Sequence, residues 1–445
     1  MNPRHLALIT LQQIDRHGAY TDIALDRTLG KTPDLPKQDR ALVTELVYGV
    51  VRRQRTLNAI IDHLGTKPAQ AQPPLLRTIL QLGLYQLRYL DHVPPSAAVD
   101  TSVELAKTNG QGRLTKVVNG LLRNYLRQIE TGNDPLTLPP DPMQRLGITA
   151  SFPDWMVGQW WGELGEEEAI ALCDWFNQAP VIDLRVNPLK SDPATVQAAL
   201  LESGVQAQAV PNLPRALRLP GSVGAIPKLP GFRRGWWTVQ DSSAQWVGAL
   251  LDPQPGETII DACAAPGGKT TDIAERMEDA GTVIACDRTP HRLEKVRQNA
   301  QRLGLTCIET HLGDSATRGD FVGWADRLLL DVPCSGLGTL HRHPDIRWRQ
   351  TPDNIAQLTQ LQKQLLTNTA RWLKPGGRLV YATCTLNPPE NEAIIEDFLN
   401  HHPDWQISPP GPEFAPFASP EGWVKIWPHR AQMDGFFMVA IAAPA

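Results

Sequence analysis

No disulfide framework is written into this chain: its six cysteines, at positions 173, 263, 286, 307, 334 and 384, show no paired spacing and read as free thiols. No apolar run approaches the roughly 20 residues that span a bilayer. The opening Met1-Asn2-Pro3-Arg4-His5 lacks both the charged and the apolar half of a signal peptide, so a cytoplasmic protein with no membrane partner is expected. Charge of one sign is also missing, and a net value of -4 by itself counts slightly against a nucleic-acid partner. A zinc set of the deaminase type is incomplete, because position 337 is leucine where P-C-x-x-C needs cysteine and no H-x-E lies upstream; no metal is expected.

What the chain does have is unevenly placed. Residues 1 to 140 hold 17 Lys and Arg against 12 Asp and Glu, which leaves the remainder at -9. The densest basic cluster, Arg52-Arg53-Gln54-Arg55, reads either as a solvated helix face or as a contact with a phosphate backbone. Apolar residues recur at helical spacing at Leu46, Val50, Leu57, Ile61 and Leu64, at Leu76, Leu80, Leu84 and Leu87, at Val99, Val103 and Ala106, and at Leu114, Val117, Leu121 and Tyr125. Such stripes predict a helical bundle over 1 to 130, with Ser96 after Pro94-Pro95 as a cap.

Residues 131 to 147 are proline-rich and polar, and read as a linker. Residues 148 to 235 read as a small α/β subdomain whose tryptophans, Trp155, Trp160, Trp161 and Trp175, fit packing better than stacking on bases. From 236 to 445, strand-like runs at 258 to 262, 282 to 286, 306 to 310, 327 to 330 and 378 to 382 alternate with helices. That alternation predicts an α/β fold with a Rossmann-like doubly wound parallel sheet, whose ligand cleft lies outside the carboxyl ends of the strands.

Asp261, Asp287, Asp314, Asp331 and Cys384 would gather there. The loop Cys263-Ala264-Ala265-Pro266-Gly267-Gly268-Lys269 has neither the G-x-G-x-x-G spacing of a dinucleotide site nor the first glycine of a Walker loop. It leaves a tight turn able to approach a compact ligand such as the methionine part of S-adenosylmethionine. Asp287, about 20 residues past Gly267, is placed for ribose hydroxyls and Asp314 for an adenine edge, although any one aspartate could equally cap a turn. Cysteines in such a sheet are usually small core residues, the reading for Cys173, Cys286 and Cys307. Cys334, between Pro333 and Ser335-Gly336, and Cys384, between threonines, sit instead in turn-like contexts and are available as nucleophiles.

The stretch Asp39 to Arg52, with Val93 to Val99 and Val117 to Arg123, resembles the NusB family of helical RNA-binding domains. Asp261 to Lys269, Asp331 to Gly336, His341 to Trp348, Tyr381 to Thr385 and Asp434-Gly435-Phe436-Phe437, with Arg185-Val186-Asn187 and Trp237 to Asp241, resemble the RNA (cytosine-5)-methyltransferases. Joined in one chain, the two likenesses resemble the RsmB (Sun/Fmu) family. That resemblance implies methylation of a cytosine C5 in 16S ribosomal RNA not yet fully assembled into the small subunit, by a monomer using S-adenosylmethionine. It gives Cys384 the attack on C6, Asp331 a proton or hydrogen bond at N3, and Cys334 a part in product release. Transfer RNA is the alternative substrate, and an inactive RNA-binding or antitermination module the alternative class, though a pure binder has no need of both thiols. Asp272 stands where such enzymes often have histidine, and Val332 and Leu337 also depart from the pattern. The helical domain is expected to anchor folded RNA and the Arg342 to Trp348 loop to handle a displaced base.

Overall fold

The computed structural model describes residues 2–221 and 223–445. The chain forms two compact units, Met1–Gln178 with Leu340–Arg349, and Ala179–Thr339 with Gln350–Ala445. Among the described residues no helix is long and apolar enough to cross a membrane.

In the first unit the helices Pro3–His17, Thr21–Gly30, Lys37–Arg52, Gln54–Leu64, Pro74–Tyr89, Pro95–Thr108 and Thr115–Glu130 bury their apolar stripes in one core. The stripe from Leu46 to Leu64 spans two helices, broken at Arg53. In the last helix Leu121 and Tyr125 are buried as expected, but Val118 is buried in place of Val117, which is 42% exposed. Ser96 does not cap: Pro94 holds the cap position and Pro95, whose missing N–H costs nothing there, opens the helix.

Three further helices belong to this unit. Pro142–Ala150 starts inside the stretch read as linker, because Asp141 accepts from the Gln144 N–H at 2.8 Å and Pro142 takes the first helical position. Asp154–Leu164 and Glu166–Phe176 follow, so residues 148 to 235 fall in both units. Trp160 is buried against Phe152 and Phe176, with ring centroids at 5.3 and 5.5 Å, in the packing role. The basic cluster is largely turned inward. Arg52 is buried and donates to the His341 carbonyl at 3.2 Å, and Arg55 pairs with Asp154 at 2.7 Å.

Leu340–Arg349, which contains the Arg342 to Trp348 loop expected to handle a displaced base, is built into this helical unit. Arg347 is fully buried, stacks 3.9 Å over the Phe152 ring, and donates to the carbonyls of Arg52, Ser151, Phe176 and Leu340 and to Asn177 Oδ1, at 3.1–3.4 Å. Trp348 Nε1 donates to the Val51 carbonyl at 2.7 Å. Arg349 pairs with Asp345 at 2.9 Å and donates to Gly18 and Ala19. Their side chains are committed to packing, and a flipped base finds none of the three free. An Arg347→Ala variant, which strands these acceptors in the interior, is expected to lose about 3 kcal/mol of stability, read from the denaturant midpoint of the helical unit.

The second unit opens with a small antiparallel sheet of β1 (Ile182–Val186), β2 (Gln208–Val210), β3 (Leu213–Leu219) and β4 (Trp237–Val239), in the order β2-β3-β1-β4. The large sheet contains β5 (Thr258–Asp261), β6 (Thr282–Asp287), β7 (Ile308–Leu312), β8 (Ala325–Asp331), β9 (Leu373–Thr383), β10 (Gln406–Ser408), β11 (Val424–Ile426) and β12 (Phe436–Ala442). Its order is β10-β12-β9-β8-β5-β6-β7, with β11 on β12. β5 to β9 pair in parallel, and β10, β11 and β12 add antiparallel pairings that the alternation of strands and helices did not signal. β7 begins two residues later than expected because the Asp279 carboxylate captures the Thr306 and Cys307 N–H groups at 2.8 and 2.9 Å.

Successive strand residues feed opposite faces. Ile259, Val283, Leu329, Val380 and Met438 join one core, and Ile260, Ile284, Leu330, Tyr381 and Phe437 the other. The chain steps from β5 outward to β6 and β7, then returns to lay β8 on the opposite side of β5. At that reversal the loops after β5 and β8 diverge and leave a crevice.

Candidate active site

A cavity of about 270 Å³ fills the crevice. Cys263, Ala265, Lys269, Asp287, Asp314, Asp331, Cys334 and Cys384 all line it. The remaining loop residues expected at a cofactor, Ala264, Pro266, Gly267 and Gly268, shape the turn from behind. Gly267 has φ +101°, in the left-handed region, and caps the helix Gly268–Arg276. The Ala265–Pro266 peptide is cis.

The turn is tied down through its carbonyls. Arg292 donates to Ala265 at 2.6 Å, Asn299 to Pro266 at 3.1 Å and Arg185 to Gly268 at 2.7 Å. Arg185, from β1, is fully buried and also pairs with Glu275 at 2.8 Å. Asp272 belongs to the same set, 2.5 Å from Arg215 and 3.2 Å from Arg276. Burial opposes its charge, but the guanidinium groups of Arg276, Arg215 and Arg185 hold the carboxyl below the usual range. Its departure from histidine therefore acts beneath the helix, away from the cavity lining. Val332 lines the cavity, and Leu337 is buried beside it in sequence, in the turn after β8.

Asp287 ends β6, accepts from the Thr289 N–H at 2.8 Å and lies 3.6 Å from Arg292. Asp314 follows β7 by two residues and accepts from the Ala316 N–H at 3.0 Å. Both therefore hold turns as well as facing the cavity. Asp331 ends β8 and pairs with Lys269 at 2.7 Å. Burial works against the Lys269 ammonium, but the charges of Asp331, Cys384 and Asp261 carry its pKa above the ordinary value.

The two thiols meet. Cys334 Sγ lies 3.3 Å from Cys384 Sγ, within hydrogen-bonding range for sulfur. The Cys334 thiol is pushed well above its ordinary pKa by that hydrogen bond, by burial, and by the charges of Cys384 and Glu390. Cys173 and Cys286 are buried core residues and Cys307 is partly buried, each thiol pushed up to about 12 chiefly by burial. Where the turn after β8 passes β12, a Cβ on Gly338 would stand 2.0 Å from the Gly435 carbonyl oxygen, so only glycine permits this approach.

The chain is similar to known proteins along nearly its whole length. Family models match residues 1–127 (NusB family), 152–225 (ferredoxin-like domain of RsmF/B-like methyltransferases) and 248–442 (16S rRNA methyltransferase RsmB/F). A probable ribosomal RNA small subunit methyltransferase B of Synechocystis sp. is 53% identical over 443 residues, covering 98% of each chain. The chain belongs to the ribosomal RNA small subunit methyltransferase B family. The Klebsiella pneumoniae ribosomal RNA small subunit methyltransferase B is 36% identical over 98% of this chain and 97% of its own. A solved structure, PH0851, is 27% identical with TM-score 0.82 over 99% of both chains. A methyltransferase homologue from Pyrococcus horikoshii is 29% identical with TM-score 0.59, over 69% of this chain and all of its own. Membership makes the protein an RNA methyltransferase acting on small-subunit ribosomal RNA, with the expected NusB-like bundle and Rossmann-like sheet, and a ferredoxin-like domain where only a small α/β subdomain was expected.

Glu390, buried between the two thiol loops, was missed in the sequence. Asp261, expected at the cleft with the other aspartates, is buried under the glycine turn and does not line the cavity. Asp261 accepts from Thr270 at 2.7 Å through one oxygen, while the other is buried without a partner. Burial pushes its pKa from 3.8 to about 7. A folded value above the unfolded one means that Asp261 favours the fold at low pH, and that this contribution is lost as pH rises through about 7. Asp261→Asn removes the penalty of the charged form. Its urea midpoint should gain steadily on that of the natural protein between about pH 4 and pH 8.

Proposed function

We propose that the protein transfers a methyl group from S-adenosylmethionine to C5 of a cytosine in 16S ribosomal RNA, through a covalent bond between Cys384 and C6. The observation that carries this reading is the pair of thiols 3.3 Å apart in the wall of the same cavity as the glycine turn. A methyltransferase acting on a hydroxyl or a ring nitrogen has no use for two juxtaposed thiols. An aromatic carbon requires a nucleophile to activate it and a means of releasing that nucleophile.

The cavity residues suit the cofactor. The turn presents Cys263, Ala265 and Lys269 to the methionine part, Asp287 can accept from ribose hydroxyls, and Asp314 can face the adenine edge. S-adenosylmethionine bound there supplies an electrophilic methyl group. The thiolate of Cys384 adds to C6, electron density moves toward C5, and N3 takes a proton or hydrogen bond from the Lys269–Asp331 pair. That pair brings an ammonium proton to the cavity, so Asp331 serves N3 together with Lys269. After transfer, the C5 proton leaves to water, the C6–S bond breaks, and its electrons return to the Cys384 sulfur. The S–H of Cys334 then steadies the departing sulfur by hydrogen bonding. Chemistry on a base requires it displaced from its stack, and the substrate proposed is 16S ribosomal RNA not yet fully assembled into the small subunit. In this reading the helical unit anchors the RNA and the monomer acts in the cytoplasm.

Methyl transfer to 16S ribosomal RNA and to transfer RNA transcripts tests the assignment. Cys384→Ala should abolish transfer and give no covalent adduct. Cys334→Ala should lower turnover about 10²- to 10⁴-fold and accumulate a protein–RNA adduct that survives denaturation. The reverse pattern exchanges the two roles, and labelled product on transfer RNA alone moves the substrate.

A further inference from the structure

Glu390 is fully buried in the turn after Cys384. Its Oε1 accepts from the Ser335 N–H at 2.8 Å and from Gln362 Nε2 at 3.1 Å, and its Oε2 from the Ser335 hydroxyl at 2.5 Å and from Asn387 Nδ2 at 3.1 Å. A peptide N–H and carboxamide NH₂ groups can only donate, so each oxygen accepts at least one hydrogen bond, an environment built for a carboxylate. Ser335 follows Cys334 directly, and Asn387 lies three residues beyond Cys384. One side chain thus spans both thiol loops, and its own carbonyl accepts from the Tyr381 hydroxyl at 2.7 Å to fix the turn on β9.

The charges around the two sulfurs are unequal. The anionic neighbours acting on Cys334 are Cys384 and Glu390, with Tyr381 also close. Cys384 shares the cavity wall with the Lys269 ammonium, whose partners are Asp331 and Asp261. A thiolate on Cys334 would therefore face a buried carboxylate, and one on Cys384 an ammonium. We propose that Glu390 is a positioning residue that braces both loops and, as the fixed anion behind Cys334, places the thiolate of the pair on Cys384 and keeps the S–H on Cys334, directed at the Cys384 sulfur. The proton given up by Cys384 passes to water. The raised pKa of Cys334 accords with this placement.

The inference rests on Cys384 as the nucleophile, yet it can be tested without RNA or cofactor. In alkylation of the full chain by iodoacetamide, a thiolate displaces iodide to form a thioether, and peptide mass spectrometry reads each site. In the natural protein Cys384 should react about tenfold faster than Cys334 near pH 8, and the rate at Cys334 should still be climbing where that at Cys384 is flat. Glu390→Gln keeps the shape but removes the charge, and should reduce the ratio to within about threefold, with Glu390→Asp intermediate. Equal or faster reaction at Cys334, coincident pH profiles in the natural protein, or an unchanged ratio in a folded Gln variant would each overturn the proposal. The natural protein's pH profiles test the placement of the thiolate even if the variants do not fold, since coincident profiles leave Glu390 nothing to place. The expected alkylation pattern without methyl transfer to any RNA would instead defeat the functional reading alone.

Discussion

The pairing of β8 with β9 is the constraint on which the site depends. The two strands run parallel with Asp331 opposite Ala382, so the residues that follow emerge side by side at the carboxyl edge. Cys334 comes three residues past that register position and Cys384 two, and their sulfurs meet at 3.3 Å although 50 residues separate them. Because strand residues alternate between faces, a slip of one position would exchange the two buried faces of β9 and misplace the thiol loop with them. Apolar side chains on both faces, each contributing about 1.5–3 kcal/mol on burial, oppose such a slip, and the sheet core thereby fixes the chemistry above it.

Beneath the glycine turn after β5 the constraint is electrostatic. Arg185, Asp272, Glu275, Arg215 and Arg276 form one largely buried charge set under the helix Gly268–Arg276. Opposed charges in such a set tolerate little displacement, since removing any one leaves another unpaired away from water. The small antiparallel sheet therefore does more than precede the catalytic sheet. Through Arg185 it grips the carbonyl of Gly268, and that hold keeps the turn open without help from the turn's own short side chains.

Much of this was legible in the sequence because it follows from local patterns. Helical stripes, the alternation of strands and helices, and aspartates at strand ends led to the bundle, the parallel sheet and the cavity lining. The rest depends on partners distant in the chain. Nothing near Arg347 or Trp348 indicates that their acceptors lie in helices nearly 200 to 300 positions away, so a basic, aromatic segment read as an RNA contact turned out to be packing. Arg52 was obscured in the same way. β12 escaped notice because a continuous apolar run, Phe436 to Ala442, has no alternation when both faces are buried. Glu390 escaped notice as one of two acids in Pro388-Pro389-Glu390-Asn391-Glu392, since a buried acid is identified by its donors, and those come from residues 335, 362 and 387.

The excursion of Leu340–Arg349 into the helical unit bears on how this protein can be taken apart. The ten residues between Thr339 and Gln350 have their hydrogen-bond acceptors and aromatic neighbours among residues 18 to 177, so the sequence coding for the methyltransferase sheet also carries a piece of the bundle's interior. The bundle is consequently not a detachable module. Cutting it away would expose a guanidinium and an indole shaped for burial in the same stretch of chain that leads from Cys334 to Cys384, and a graft of this sheet onto a different helical domain would have to bring its own lodging for that strap.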